Sequence, residues 1–148
     1  MHVTMIGTGY VGLVSGACFS EFGHNVTCVD KDATMIGSLH CGEIPIFEPG
    51  LDKLVESNVN AGRLSFTTDL QQPVANADAV FIAVGTPSRR GDGHADLTYV
   101  FNAAREVADA LEGERNIFDA LSPDPAPEEI VAGLGSRFYI EETAIKTF

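Results

Sequence analysis

Short continuous apolar runs alternate along this chain with longer segments whose apolar residues return every three or four positions. Residues 3–6 (VTMI) form the first run and end in glycine, as a buried strand does. Over residues 10–22, Val11, Val14, Ala17, Cys18 and Phe22 keep helical spacing, and Gly23 follows where a helix C-terminus favours glycine. A second strand is expected in HNVTCVD, ending at Asp30, then a helical turn region and the loop GEIPIFEPG. Residues 51–59 read as a helix, RLSFTTD as a third strand, and residues 69–75 as a brief helix disturbed by Pro73. DAVFIAVG is the clearest strand, apolar after its first residue and closed by Gly85; the polar loop TPSRRGDGHAD follows it. From Leu97, the residues Leu97, Val100, Phe101, Ala104, Val107, Ala108 and Leu111 trace one helix face, with Asp96 placed to cap it.

Continuously apolar strands separated by helices specify a parallel sheet covered on both faces. Right-handed crossovers then give an α/β, doubly wound, Rossmann-like fold. The pattern stops after Gly113, and no apolar strand follows Leu111 directly, so the sheet is expected to be incomplete after its fourth strand. Residues 1–113 are expected to form one nucleotide-binding domain and residues 114–148 an atypical tail. Within the tail, residues 114–136 read as mostly loop with one short helix around 128–132. Residues 137–145 read as an edge strand or a disordered end. An apolar edge beside the fourth strand should be covered by this tail or by a second copy of the chain, which would make a homo-oligomer.

Charge narrows the partners. The chain carries 21 acidic residues against 9 Lys and Arg, a formal net charge of −12. Such a surface repels phosphate backbones, so nucleic acid is not an expected partner. No apolar stretch reaches the length of a membrane span and no basic leader precedes the first strand, so a cytoplasmic location is expected. Cys18, Cys28 and Cys41 form no CxxC pair, and no metal site is expected from them. Cys18 and Cys28 fall in helix and strand patterns, where cysteine acts as a small buried hydrophobe.

Gly7, Gly9 and Gly12 form G-x-G-x-x-G between the first strand and the first helix, and Asp30 stands at the end of the second strand. In that context the glycines are a dinucleotide fingerprint. Gly7 permits the turn, Gly9 lets a pyrophosphate approach the backbone, and Gly12 lets the helix lie close to the sheet. The helix's free N–H groups and positive end hold the phosphates, so an acidic protein needs no basic patch. Asp30 can accept both adenosine-ribose hydroxyls and would repel a 2′-phosphate, which favours NAD over NADP; a helix cap or turn carboxylate is its other reading. Gly85, Thr86 and Pro87 leave the fourth strand at its C-terminal end, where ligands of such sheets lie.

The stretches IGTGYVGLVSGACFSEFGHNVTCVD, GEIPIFEPGLDKLV, GRLSFTTDL and VFIAVGTPSRRGDGHADLTYV together resemble the N-terminal domain of the UDP-glucose 6-dehydrogenase family, over residues 1 to about 112. The wording is closer to that branch than to the related GDP-mannose dehydrogenases. The resemblance implies NAD-dependent oxidation of UDP-glucose to UDP-glucuronate. It places Gly7, Gly9, Tyr10, Val11 and Gly12 at the pyrophosphate, Asp30 at the ribose, and Thr86 with its neighbours beside the nicotinamide half. Met35 departs from the family, which often has Lys or Arg there, near the adenosine. The family's catalytic thiol segment has no counterpart among the 148 residues, so no catalytic residue is assigned and a UDP-sugar would bind only with the missing half supplied. The chain alone is expected to bind NAD without turnover. A stand-alone NAD-binding module, and a flavin or S-adenosylmethionine domain, are the other readings.

Overall fold

The computed structural model describes residues 1–88 and 94–111, together with the backbone of a two-residue strand at Phe138–Tyr139. The elements run β1 (His2–Ile6), α1 (Tyr10–Glu21), β2 (Asn25–Val29), α2 (Ala33–His40), α3 (Leu51–Asn60), β3 (Leu64–Thr67), α4 (Gln71–Ala75), β4 (Ala79–Ile82), α5 (Thr98–Ala110) and β5 (Phe138–Tyr139). The strands form one sheet in the order β3-β2-β1-β4-β5, and every pairing is parallel. Residue alternation sorts the side chains onto two faces, as the pleat requires. Val3 and Met5 of β1, Val26 and Cys28 of β2, and Leu64 and Phe66 of β3 pack with Leu13, Ala17, Ile36, Leu39, Leu51 and Val55 from α1, α2 and α3. On the opposite face, Ile6, Val29, Val80 and Ile82 pack with Val74 of α4 and with Ala103, Ala104, Val107 and Ala110 of α5. Both layers are apolar, and the fold is α/β and doubly wound.

Beyond β4 the sheet gains the two residues of β5, with Val80 opposite Phe138 and Phe81 opposite Tyr139. Part of the β4 edge is therefore covered by the tail, within the segment read from sequence as an edge strand or a disordered end. The expected loop over 114–136, with its short helix around 128–132, lies outside the described residues.

Helix α1 corrects one sequence expectation. The residues it buries are Gly12, Leu13, Gly16, Ala17 and Ser20, whereas Val11 is 41% exposed and Phe22 76% exposed. Apart from Leu13, the residues it buries are small, which lets the helix lie close to the sheet, while Val11 and Phe22 turn outward. Gly16 marks a close contact with β2: a methyl group there would lie 2.7 Å from the Cys28 sulfur. Cys28 is fully buried, and that burial pushes its thiol up to about 12, so it serves as a packing atom. Cys18 is only partly buried and Cys41 is exposed. Helix α5 carries a smaller correction. Leu97 occupies the cap position, and Asp96, one residue earlier, accepts the Thr98 amide at 3.0 Å.

One buried polar network also ties this face together. Asn58, fully buried, donates to Glu21 and to the Leu54 carbonyl, each at 2.9 Å, and accepts from the Arg63 guanidinium. It links the end of α1 to α3 and the start of β3, with each of its polar atoms satisfied.

The Gly16–Cys28 contact sets a double-mutant test. Alanine in mid-helix gains about 1 kcal/mol over glycine, but overpacking a core contact costs about 1–3 kcal/mol. Gly16→Ala should therefore destabilise the chain in urea denaturation. In a Cys28→Ala background the same change should become neutral or stabilising; equal effects in both backgrounds would show that the helix and strand are not in contact.

Candidate cofactor site

The parallel register brings the site together. Ile6 pairs with Val29 on one side and Ile82 on the other, so the residues that follow leave the sheet side by side. The Gly7 amide donates to the Val29 carbonyl at 2.7 Å, and the Ala83 amide to the Ile6 carbonyl at 2.8 Å. Strand order reverses between β1 and β4, and such a switch point is where open α/β sheets bind their ligands.

Each fingerprint glycine meets a different demand. Gly7 has φ of +104°, and a methyl group on it would sit 2.7 Å from the Ala83 carbonyl oxygen. A methyl group on Gly12 would sit 2.0 Å from the Gly7 carbonyl oxygen. Both positions exclude any side chain. Gly9 differs, because a methyl group there would meet nothing within 4 Å. Its φ of −68° is open to any residue, so neither packing nor backbone strain of the protein itself demands glycine at this position.

Gly9 is also the N-cap of α1, and no side chain caps that end. The first amides of a helix have no partner within it. No acidic residue lies in the first turn to compete for them. Tyr10 and Val11 stand exposed beside Gly9. The Tyr10 hydroxyl donates to Glu48 at 2.7 Å, which fastens the GEIPIFEPG loop to the start of α1. That hydrogen bond, with the carboxylate's charge, raises the Tyr10 phenol above its ordinary value.

Asp30 is held by the turn. Its Oδ2 accepts both the amide and the hydroxyl of Thr8, each at 2.8 Å, and its Oδ1 accepts the Asp32 amide at 3.0 Å. Partial burial opposes its ionisation and is the largest single influence. The hydrogen bonds from Asp32, Thr8 and Lys31 together outweigh it and hold the carboxyl below its ordinary value. The Lys31 side chain pairs with Glu106 on α5. Asp32 caps α2 by accepting the Thr34 and Met35 amides. Met35 packs against the core on the α1 side.

Gly85 is exposed with open space where a side chain would stand. Thr86 is partly buried and Pro87 exposed. The Pro87 carbonyl accepts the Asp96 amide at 2.7 Å, and Ser88 bridges Ala95, which closes the loop toward α5. Gly7, Gly9, Tyr10, Val11, Gly12 and Asp30 thus gather around the ends of β1 and β2. Gly85, Thr86 and Pro87 extend from the neighbouring end of β4. Thr8 and Glu48 were not singled out from the sequence. A hydroxyl residue between two turn glycines, one strand away from an acid, is the signal that marks Thr8. Among the described residues, no group of three or more His, Cys, Asp or Glu is placed to hold a metal ion, and no helix is long and apolar enough to cross a membrane.

Comparison with known proteins matches residues 1–120 to the UDP-glucose/GDP-mannose dehydrogenase family, NAD binding domain. The chain belongs to this family. It is 69% identical over 113 residues to a UDP-glucose 6-dehydrogenase of Rhizobium meliloti, covering 76% of this chain and 26% of that protein. It is 41% identical over 145 residues to the UDP-glucose 6-dehydrogenase YwqF of Bacillus subtilis, covering 98% of this chain and 33% of that protein. Among solved structures, a GDP-mannose dehydrogenase of Pseudomonas aeruginosa superposes with a TM-score of 0.76 at 33% identity, covering 99% of this chain and 38% of that one. A UDP-glucose dehydrogenase of Pyrobaculum islandicum gives a TM-score of 0.72 at 32% identity, covering 93% and 34%. The chain spans about a quarter to a third of the length of these curated relatives.

The lowered Asp30 pKa fixes a pH dependence. A carboxyl whose folded value lies below its unfolded value near 3.9 contributes stability that is full above about pH 4. That contribution is lost as pH falls through the folded value. Asp30→Asn should lower the melting temperature at pH 7, and its gap from the wild type should close as pH drops below about 4. A gap that stays constant to pH 2 would separate Asp30 from the acid limb.

Proposed function

We propose that the site formed by Gly7, Gly9, Tyr10, Val11, Gly12 and Asp30 holds NAD, with Gly85, Thr86 and Pro87 beside its nicotinamide half. The observation that carries this reading is Gly9. It caps a helix whose first amides have no side-chain cap, and it keeps open the space a side chain would fill. A pyrophosphate is an anion of the right kind for that position. Asp30, ionised and fixed at the end of β2, suits a ribose hydroxyl and repels a 2′-phosphate. We read this domain as one that, within a longer protein, serves NAD-dependent oxidation of UDP-glucose to UDP-glucuronate. The names of the curated relatives favour that sugar over GDP-mannose. The 148-residue chain binds the cofactor and does not turn over substrate.

The test is the melting temperature against NAD, with NADP in parallel. At about 100-fold above the dissociation constant, ligand adds ~2.7 kcal/mol. For a chain of this size, each kcal/mol raises the melting temperature by roughly 2–4 °C or slightly more. NAD should shift the transition by several degrees and NADP by little, and NAD with UDP-glucose should yield no NADH. Equal shifts with both cofactors would overturn the ribose assignment; no shift with either would overturn the cofactor reading.

A further inference from the structure

Thr8 lies between the first two glycines of the turn, and it is fully buried. Both of its donors, amide and hydroxyl, go to a single atom, Asp30 Oδ2. A carboxylate offers about four acceptor positions, and Thr8 occupies the two on that oxygen. The Asp32 amide donates to Oδ1 at 3.0 Å, and the Lys31 amide also lies close enough to favour the ionised carboxylate. A carboxylate so fastened cannot rotate about its side-chain bonds without breaking two hydrogen bonds inside the protein, so it is ordered before any ligand arrives.

We infer that Thr8 is a positioning residue for ribose recognition: it locks the Asp30 carboxylate through Oδ2 and leaves Oδ1 to receive a hydroxyl of the adenosine ribose. This rests on the NAD reading above. The lock also sharpens selectivity, because a carboxylate that cannot swing away cannot make room for a 2′-phosphate. Valine at this position keeps the shape and the amide but removes the hydroxyl. It should therefore loosen Asp30 while sparing the glycine turn, and the loss should fall on the ribose end of the ligand and not on the pyrophosphate.

Calorimetric titration of the 148-residue chain separates these effects with two ligands, NAD and an analogue built on 2′,3′-dideoxyadenosine. Thr8→Val should weaken NAD about tenfold, the scale of one hydrogen bond to a charged group. It should leave affinity for the dideoxy analogue within about twofold of wild type, the signature of two changes acting on one contact. Thr8→Ser, which restores the hydroxyl, should restore NAD binding, and the gap between NAD and NADP should narrow in Thr8→Val alone. If the valine variant does not fold, Thr8→Ala removes the same hydroxyl with less demand on packing and carries the same expectation. Equal weakening of both ligands would make Thr8 merely structural, and unchanged NAD binding would remove its role; either result overturns the inference while the NAD reading stands. A wild-type chain that binds neither ligand overturns the NAD reading and takes this inference with it.

Discussion

The site depends on the close approach of bare backbones at the end of β1. Gly7 passes against the Ala83 carbonyl, and Gly12 passes against the carbonyl of Gly7, both at distances that leave no room for a Cβ. Parallel register supplies the first contact by aligning the ends of β1 and β4. The small-residue face of α1 supplies the second by letting the helix settle on the sheet. If either approach were lost, α1 would lift and its first amides would leave the switch point. The turn, the helix and the crevice are one geometric object, and Gly7 and Gly12 are its condition.

Local groups then resolve the conflict between an acidic protein and an anionic ligand. At a net charge of −12 the long-range field opposes phosphate. Against it stand uncapped amides at the start of α1, acting within a few ångströms, where screening is weak and direction matters. The nearby carboxylates are each engaged by donors: Asp30 by Thr8 and Asp32, and Glu48 by Tyr10. Fixed in this way, acids near an anion site act as selectivity elements, because their charge is held at a defined place.

Much of this was legible in the sequence. Apolar runs announced β1 and β4, the shorter patterns HNVTCVD and RLSFTTD announced β2 and β3, and the G-x-G-x-x-G spacing with Asp30 one strand away announced the site. What escaped was set by packing. The stripe Val11, Val14, Ala17, Cys18 and Phe22 has helical period, yet of these α1 buries only Ala17; the rest of its buried face is Gly12, Leu13, Gly16 and Ser20, mostly small residues that let the helix press against the sheet. The cap of α5 fell one residue from where Asp96 suggested, since a side chain can serve an amide from just outside the cap position. Thr8 and Glu48 escaped because their partners, Asp30 and Tyr10, lie 22 and 38 residues away in sequence and meet only once the sheet is assembled.

The most direct measurement is NAD affinity and melting temperature for Gly9→Ala. The backbone at Gly9 suits alanine, and its methyl group would touch nothing within 4 Å. If that space belongs to a pyrophosphate, the variant should melt at the wild-type temperature without ligand and lose NAD binding in calorimetry. Wild-type NAD affinity in a normally folded Gly9→Ala chain would contradict the account, because the ligand would then lie somewhere other than the glycine turn.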